Sequence, residues 1–238
     1  MSAGRGTDFE PVAAFLGDAY LKYSFTKGTG QEVSFLCDRF GLGPATRVLD
    51  VGCGPGRHAH ALEARGIPVV GLDLAAPFVE AAAVGARGDA TFVRADARHL
   101  PFGDQAFDLT ISLCQGGFGL VGDDDGAVVA EMARVTRPGG RVVLSAFSAY
   151  FAVRFIEETD TFDADHGVNH EHISPRNTAG DVAEFDLWTS CFTPRELRLM
   201  AAAAGLEVSH VWSVKPGDYA ERVPDLDHPE FLLVAVRP

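Results

Sequence analysis

The chain has 238 residues, 47% of them hydrophobic and 22% charged, and a formal net charge of −13. That length suffices for one large α/β domain with a full core, so residues 1–238 are expected to fold as a single domain. The acidic balance argues against polyanionic partners. Binding nucleic acid or an anionic membrane surface needs a concentrated basic face, and the sequence has no Lys/Arg cluster. No apolar run approaches the ~20 residues needed to cross a bilayer. The start, Met1 to Gly6, is short and polar with no apolar signal segment after it, so a cytoplasmic location is expected. Cys37, Cys53, Cys114 and Cys191 form no C-x-x-C pair and no zinc spacing, and no metal site is expected.

In chain order, residues 8–40 read as a helical segment. Thr7 and Glu10 have the spacing of a capping box, and Phe9, Val12, Ala13 and Leu16 share one helical face. Tyr20, Tyr23 and Phe25 follow, then Lys27-Gly28-Thr29-Gly30, which is expected as a loop. The periodicity predicts a second helix from Gln31 to Phe40, stopped by Gly41.

From residue 46 the pattern becomes βαβ. A strand over 46–51 ends in Val48-Leu49-Asp50-Val51, and Gly52-Cys53-Gly54-Pro55-Gly56 comes next. Three glycines at alternate positions let the backbone turn sharply and approach a ligand with no Cβ in the way. A helix is predicted from Arg57 to Arg65. Strand, glycine turn and helix N-terminus together make a nucleotide-type pocket. The dinucleotide fingerprint G-x-G-x-x-G would place glycine at position 57, where Arg57 stands. Asp50 beside the turn suits a positively charged ligand and repels a pyrophosphate. The second strand, Pro68 to Leu72, ends at Asp73, followed by Leu74. Asp73 lies 21 residues after Gly52 (73 − 52), the distance at which an acid meets the ribose hydroxyls of a nucleotide.

The pattern D-x-G-x-G-x-G over Asp50 to Gly56 resembles motif I of the class I methyltransferases, which bind S-adenosylmethionine (SAM). The resemblance covers residues 40–147 well and the last strands by pattern. It implies a Rossmann-like, doubly wound α/β sheet of seven strands with an antiparallel last strand, N-terminal helices and a lid insertion after strand five. It further implies that Asp50, Gly52, Cys53, Gly54, Gly56, Asp73 and Leu74 surround the cofactor, and that Tyr20 and Tyr23 close over it or over the substrate.

Strand three is expected at Thr91–Arg94. In the resembling family an acid just after this strand takes the adenine amino group and the next backbone amide reaches a ring nitrogen, roles that fall to Asp96 and Ala97. Leu100-Pro101-Phe102, Phe107-Asp108 and Arg137-Pro138-Gly139-Gly140 also recur there. Strand four, Phe107–Leu113, would lay Leu113, Cys114 and Gln115 against the methionine part of SAM. Asp123, Asp124 and Asp125 favour a helix N-terminus, and Val128, Val129, Met132 and Val135 form that helix's inward face. The R-P-G-G segment is expected as a turn before strand five, Arg141–Ala146.

Residues 148–192 break the alternation. About forty-five residues are too many for an idle loop, and in the resembling family such an insertion builds the substrate lid. It contains His166, His170 and His172. These three, with Tyr20, are the candidates for a base that takes the acceptor's proton; a metal site and ordinary exposed histidines are the other readings. Thr193, Pro194 and Glu196 carry the cap signals of a further helix ending at Gly205. Strands six, 206–213, and seven, Phe231–Arg237, would close the sheet.

The function expected from this resemblance is methyl transfer from SAM to a small-molecule acceptor by in-line displacement, leaving S-adenosylhomocysteine (SAH). The protein's part is mainly positioning. A small acceptor is expected because the chain lacks a basic surface and carries an aromatic insertion able to form a closed apolar pocket. The rival readings are an NAD-dependent oxidoreductase, disfavoured by Asp50 and Arg57, and a non-catalytic SAM- or SAH-binding protein.

Overall fold

The computed structural model describes residues 9–114 and 116–238. The expectations for Thr7, Gln115 and the Asp123 side chain lie outside the described residues. Five parallel strands form the centre: β1 (Val48–Val51), β2 (Val69–Asp73), β3 (Thr91–Arg94), β4 (Phe107–Ser112) and β5 (Thr136–Ser148). Three further strands come from the insertion, β6 (Thr161–Asp163), β7 (Val168–Ile173) and β8 (Phe185–Phe192). The closing pair is β9 (Glu207–Val214) and β10 (Glu230–Val236). The main sheet runs β3-β2-β1-β4-β5-β10-β9, with β10 antiparallel to both neighbours. This is the seven-stranded Rossmann-like sheet the pattern predicts.

The helices are α1 (Phe9–Leu16), α2 (Thr29–Phe40), α3 (Arg57–Glu63), α4 (Ala76–Gly85), α5 (Asp125–Val135), α6 (Ala149–Arg154) and α7 (Pro194–Ala203). They cover both sheet faces. Val48, Ile111 and Val143 pack against Val33 and Leu36 of α2 and Ala59 and Leu62 of α3. Leu49, Val51 and Leu144 pack with Val128 and Met132 of α5 and Leu197 of α7. Alternate residues of buried strands therefore feed two separate cores, as the two-residue period requires. Gly41 ends α2 in the left-handed conformation, and Thr193 and Glu196 form the full capping box of α7.

Four local expectations change. The stretch Lys27 to Gly30 is not a loop: Ser24–Gly28 is a 3₁₀ turn and α2 already begins at Thr29, whose hydroxyl donates to the Thr26 carbonyl at 2.7 Å. The Arg137–Gly140 segment lies inside β5 as a bulge. Pairing jumps from Phe107↔Thr136 to Leu109↔Arg141, and Gly139 takes the positive φ of 73° this demands. Asp124, the residue ahead of α5, makes no side-chain cap, although Asp125 does supply an acid in the first turn. Asp125 turns inward to accept from the Gly119 amide at 2.7 Å, and Asp124 pairs with Arg98. The insertion holds a helix and a three-stranded antiparallel unit. Its last strand extends β5, with Phe147 paired to Cys191. Among the described residues, no helix is long and apolar enough to cross a membrane.

Strand order reverses between β1 and β4, so their carboxyl ends diverge and leave a crevice. The insertion folds over that edge. The Ser190 amide donates to the Gly119 carbonyl at 2.7 Å, Phe15 of α1 packs on Phe185 at 5.7 Å, and the Arg176 amide donates to the Tyr23 hydroxyl at 3.1 Å.

Candidate active site

A cavity of about 400 Å³ opens in that crevice. Its floor is the glycine turn after β1 and its polar wall the ends of β2 and β3. Gly52, Gly54, Asp73, Leu74, Asp96, Ala97, Cys114, Tyr20 and Tyr23 all line it. Its outer wall is apolar, with Ile173, Pro175 and Leu187 from the insertion and Phe147 at the end of β5. A smaller recess beside it is lined by Tyr20, Cys53, Arg57, His58 and Leu113.

Two glycine turns interlock at the floor. Gly52 has a φ of 71°, and a Cβ there would stand 1.9–2.3 Å from the backbone of Gly116 and Gly117. Cys114, a residue with a side chain, adopts a φ of 52° to begin the second turn. Such left-handed backbone is costly away from glycine and concentrates at functional sites. The Gly56 position does not line the cavity; a Cβ there would press on His60 and Ala82, so this glycine serves the packing of α3 on α4.

Asp73 fixes the first turn. Its Oδ2 accepts from the Gly54 amide at 2.8 Å and its Oδ1 from the Ala75 amide at 2.9 Å. Burial raises its pKa, with the backbone donors opposing. The Leu74 amide adds a third backbone donor, and an ionised carboxylate with about four acceptor positions still has room for a ligand donor. Asp96 is held by Arg98 at 2.6 Å, which lowers its pKa. Asp50 does not reach the cavity. It lies beneath the turn with an unpartnered Oδ2, and burial pushes its carboxyl up to about 7.

The sequence reading overlooked Glu32, Arg57 and His58. Arg57 donates to Glu32 Oε2 at 2.7 Å and to the Thr29 hydroxyl at 2.7 Å. His58 Nε2 meets the same Glu32 oxygen at 2.7 Å, and the Gly217 amide donates to the other oxygen at 2.8 Å. Burial drives the His58 pKa down to about 4, so the ring is neutral. Burial alone would raise Glu32, but His58 and Arg57 together hold it low. Arg57 keeps its charge and leaves Nη2 buried without a partner. The one signal in the sequence was the pair Arg57-His58 directly after Gly56. Glu32, His58 and Cys114 bring ligand-type atoms within 4.8 Å of one another, but the Arg57 guanidinium already compensates the carboxylate.

Glu230 was also missed. It opens β10, is 5% exposed, and lines the cavity with Oε2 unpartnered. Its signal was a lone acid ahead of an unbroken apolar run, Phe231 to Val236. Burial raises its pKa to about 7, with a Ser145 hydrogen bond opposing.

Of the four candidate bases, Tyr20 alone lines the cavity among the described residues. It stacks edgewise on Phe25 and tilts over Phe78 at 4.8 Å, and burial raises its pKa, keeping the phenol protonated. The three histidines stand outside the lining, each beside an acid. His166 is 3.1 Å from Asp163, His170 is 2.8 Å from Asp186, and His172 is 3.1 Å from Glu184. His166 lies in the turn between β6 and β7, whereas His170 and His172 share one face of β7, so the two-residue period that put them together also turned both away from the cavity.

The residues fit SAM. The glycine turn presents open backbone at Gly54, where a Cβ would meet nothing closer than 4.0 Å. Arg57 offers an orphaned buried donor that a carboxylate satisfies. Residues 48–140 match the family model described as "Methyltransferase domain". Over that stretch the chain matches a methyltransferase domain, and its fold is that of the class I SAM-dependent methyltransferases. SAM is the cofactor of that enzyme family, and the match sets the nicotinamide reading aside. The demethylmenaquinone methyltransferase of Renibacterium salmoninarum is 36% identical over 149 residues, which are 58% of this chain and 60% of the relative. The chain thus spans less than two thirds of that relative's length. The SAM-bound structure of CalS10, an amino pentose methyltransferase from Micromonospora echinaspora, is 27% identical with a TM-score of 0.64, over 88% of this chain and 92% of that one. The CcbJ methyltransferase from Streptomyces caelestis shares the fold, with a TM-score of 0.74 at 21% identity, over 89% of this chain and 96% of that one.

Proposed function

We propose that the protein transfers a methyl group from SAM to a small molecule with an apolar body. The observation that carries this is the cavity itself. A glycine turn and two acids, one ending β2 and one after β3, line it together with apolar residues of the insertion, and Cys114 lines both this cavity and the recess beside it.

In this reading Asp73 accepts from the ribose hydroxyls and Asp96 from the adenine amino group. The Arg57 Nη2 pairs with the methionine carboxylate in the small recess. Glu32, by clamping Arg57, sets the direction of that donor. Asp50 supports the turn from below and does not touch the ligand. SAM supplies an electrophilic methyl on a positively charged sulfur. The protein aligns the acceptor's nucleophile with that methyl and keeps water out. Tyr20 and Tyr23 roof the cavity, and the Arg176 amide holds Tyr23 in place. Tyr20, protonated by burial, acts as a hydrogen-bond donor and not as a base.

The names of the relatives support a small acceptor: demethylmenaquinone in one, an amino pentose in another. The mostly apolar outer wall and the chain's charge of −13 agree with it. The test is calorimetric titration with SAH, followed by incubation of the protein with methyl-labelled SAM and a panel of small acceptors. Binding of SAH with label transferred to a small molecule is expected. Binding without transfer to any acceptor would leave a SAM- or SAH-binding protein, and no SAH binding would overturn the reading.

A further inference from the structure

The buried acid of the cavity that the reading above leaves unused is Glu230. Its place follows from topology. β10 runs antiparallel to β5, so its first residue lies at the carboxyl edge of the sheet, paired with Phe147. Glu230 shares a face with Leu232 and Val234, which pack toward α2 and α3, the side on which Glu32 and Arg57 lie.

The surroundings are specific. The Cys114 amide donates to the Ser145 hydroxyl at 2.7 Å. Ser145 in turn hydrogen-bonds the Glu230 carboxyl. With its oxygen accepting from Cys114, the Ser145 hydroxyl has its proton free to donate, and that proton points to a carboxylate acceptor at Glu230. The other oxygen, Oε2, has no partner. The charged and titratable groups around Glu230 are Glu32 of α2, Arg57 of α3, Cys114 after β4 and Tyr219 of the loop after β9. Arg57 is the one cation among them, and it is committed to Glu32.

A buried carboxylate with a free oxygen and no cation of its own is destabilising unless a ligand completes it. We propose that Glu230 is completed by the acceptor: it binds the ammonium of an amine carried on an apolar body and takes that amine's proton. This rests on the methyl transfer proposed above. An ammonium compensates the buried charge, whereas a hydroxyl would leave it uncompensated. In the step, the N–H proton passes to Glu230 Oε2 and frees the nitrogen lone pair. The nitrogen then forms the new C–N bond as the carbon–sulfur bond of the sulfonium breaks, and that electron pair stays on sulfur. The product is the methylated ammonium and neutral SAH, with the acquired proton on Glu230.

The test uses SAH-loaded protein and three probes of one shape: 2-phenylethylamine, 2-phenylethanol and propylbenzene. At about pH 8 the amine is expected to bind at least about tenfold tighter than either neutral probe, with that preference fading as pH falls through about 7 and the carboxylate is protonated. Glu230→Gln should abolish the preference while SAH affinity is retained. An amine that binds the wild-type protein no tighter than propylbenzene at any pH in this range overturns the proposal, and this arm needs no variant. So does an amine preference that survives in Glu230→Gln. Absence of SAH binding to the wild-type protein would instead overturn the methyltransferase reading itself.

Discussion

The two sides of the cavity are built differently. On the side made by β1, β2 and β3, backbone amides and acids do the work: Gly54 and Ala75 donate to Asp73, and Gly52 locks against Gly116 and Gly117. On the side made by the N-terminal segment and the insertion, side-chain shape does it, through Tyr20, Tyr23, Ile173, Pro175 and Leu187. The first side presents hydrogen-bonding groups at fixed positions, an arrangement suited to a constant ligand. The second offers apolar area with few directional groups, which sorts ligands by shape and tolerates change. Glu230 lines the same cavity, while Arg57, clamped by Glu32, lines the recess beside it.

If the N-terminal helices were a detachable cover, Glu32→Ala would cost little. Because Glu32 is fully buried between Arg57, His58 and the Gly217 amide, its removal is expected to lower unfolding free energy by about 3–5 kcal/mol in a urea titration, the cost of orphaning a buried charge. Asp73→Ala should leave the apolar side intact and weaken SAH binding by about 1.5–3 kcal/mol in calorimetry. Unchanged affinity in a folded variant would remove Asp73 from the site.

Glu230 also has a pH signature in the ligand-free protein. Burial raises Glu230 to about 7, above the range of an unfolded carboxyl, so the folded state binds the proton more tightly. The stability this contributes is complete below about pH 4 and is lost as pH rises through about 7. Glu230→Gln removes that loss. Relative to wild type, the variant should gain on the order of 3 kcal/mol between those limits in unfolding titrations. A constant difference across that range would show that Glu230 titrates normally. The smallest effect is expected at the closure. Tyr23→Phe removes the acceptor of the Arg176 amide, which should cost about 1 kcal/mol and speed hydrogen exchange at that amide, with SAH affinity little changed.

Much of the first side was legible in the sequence because its determinants are local. Gly52, Gly54 and the strand-end Asp73 and Asp96 are fixed by backbone geometry within a few residues, and each lines the cavity. The second side was harder to read because its determinants are distant in the chain. His170 and His172 looked like site residues by type and spacing, yet a strand has two faces, and which one meets the cavity depends on how the insertion docks. Asp50 likewise was read as supporting both the turn and the cofactor, yet its side chain lies beneath the turn and outside the cavity lining. Glu230 stands 85 residues after Ser145 in the chain (230 − 145) and meets it only because β10 inserts antiparallel beside β5.

By itself the sequence determined the strand and helix periods, the glycine turn and the order βαβ, and hence a Rossmann-like sheet with its crevice at one edge. These follow from short-range sterics and from the spacing of apolar residues. The tertiary structure decided which polar side chains face the crevice, which are silenced by partners and which are left unsatisfied. Those outcomes depend on burial and on neighbours contributed by distant segments, and no local pattern encodes them.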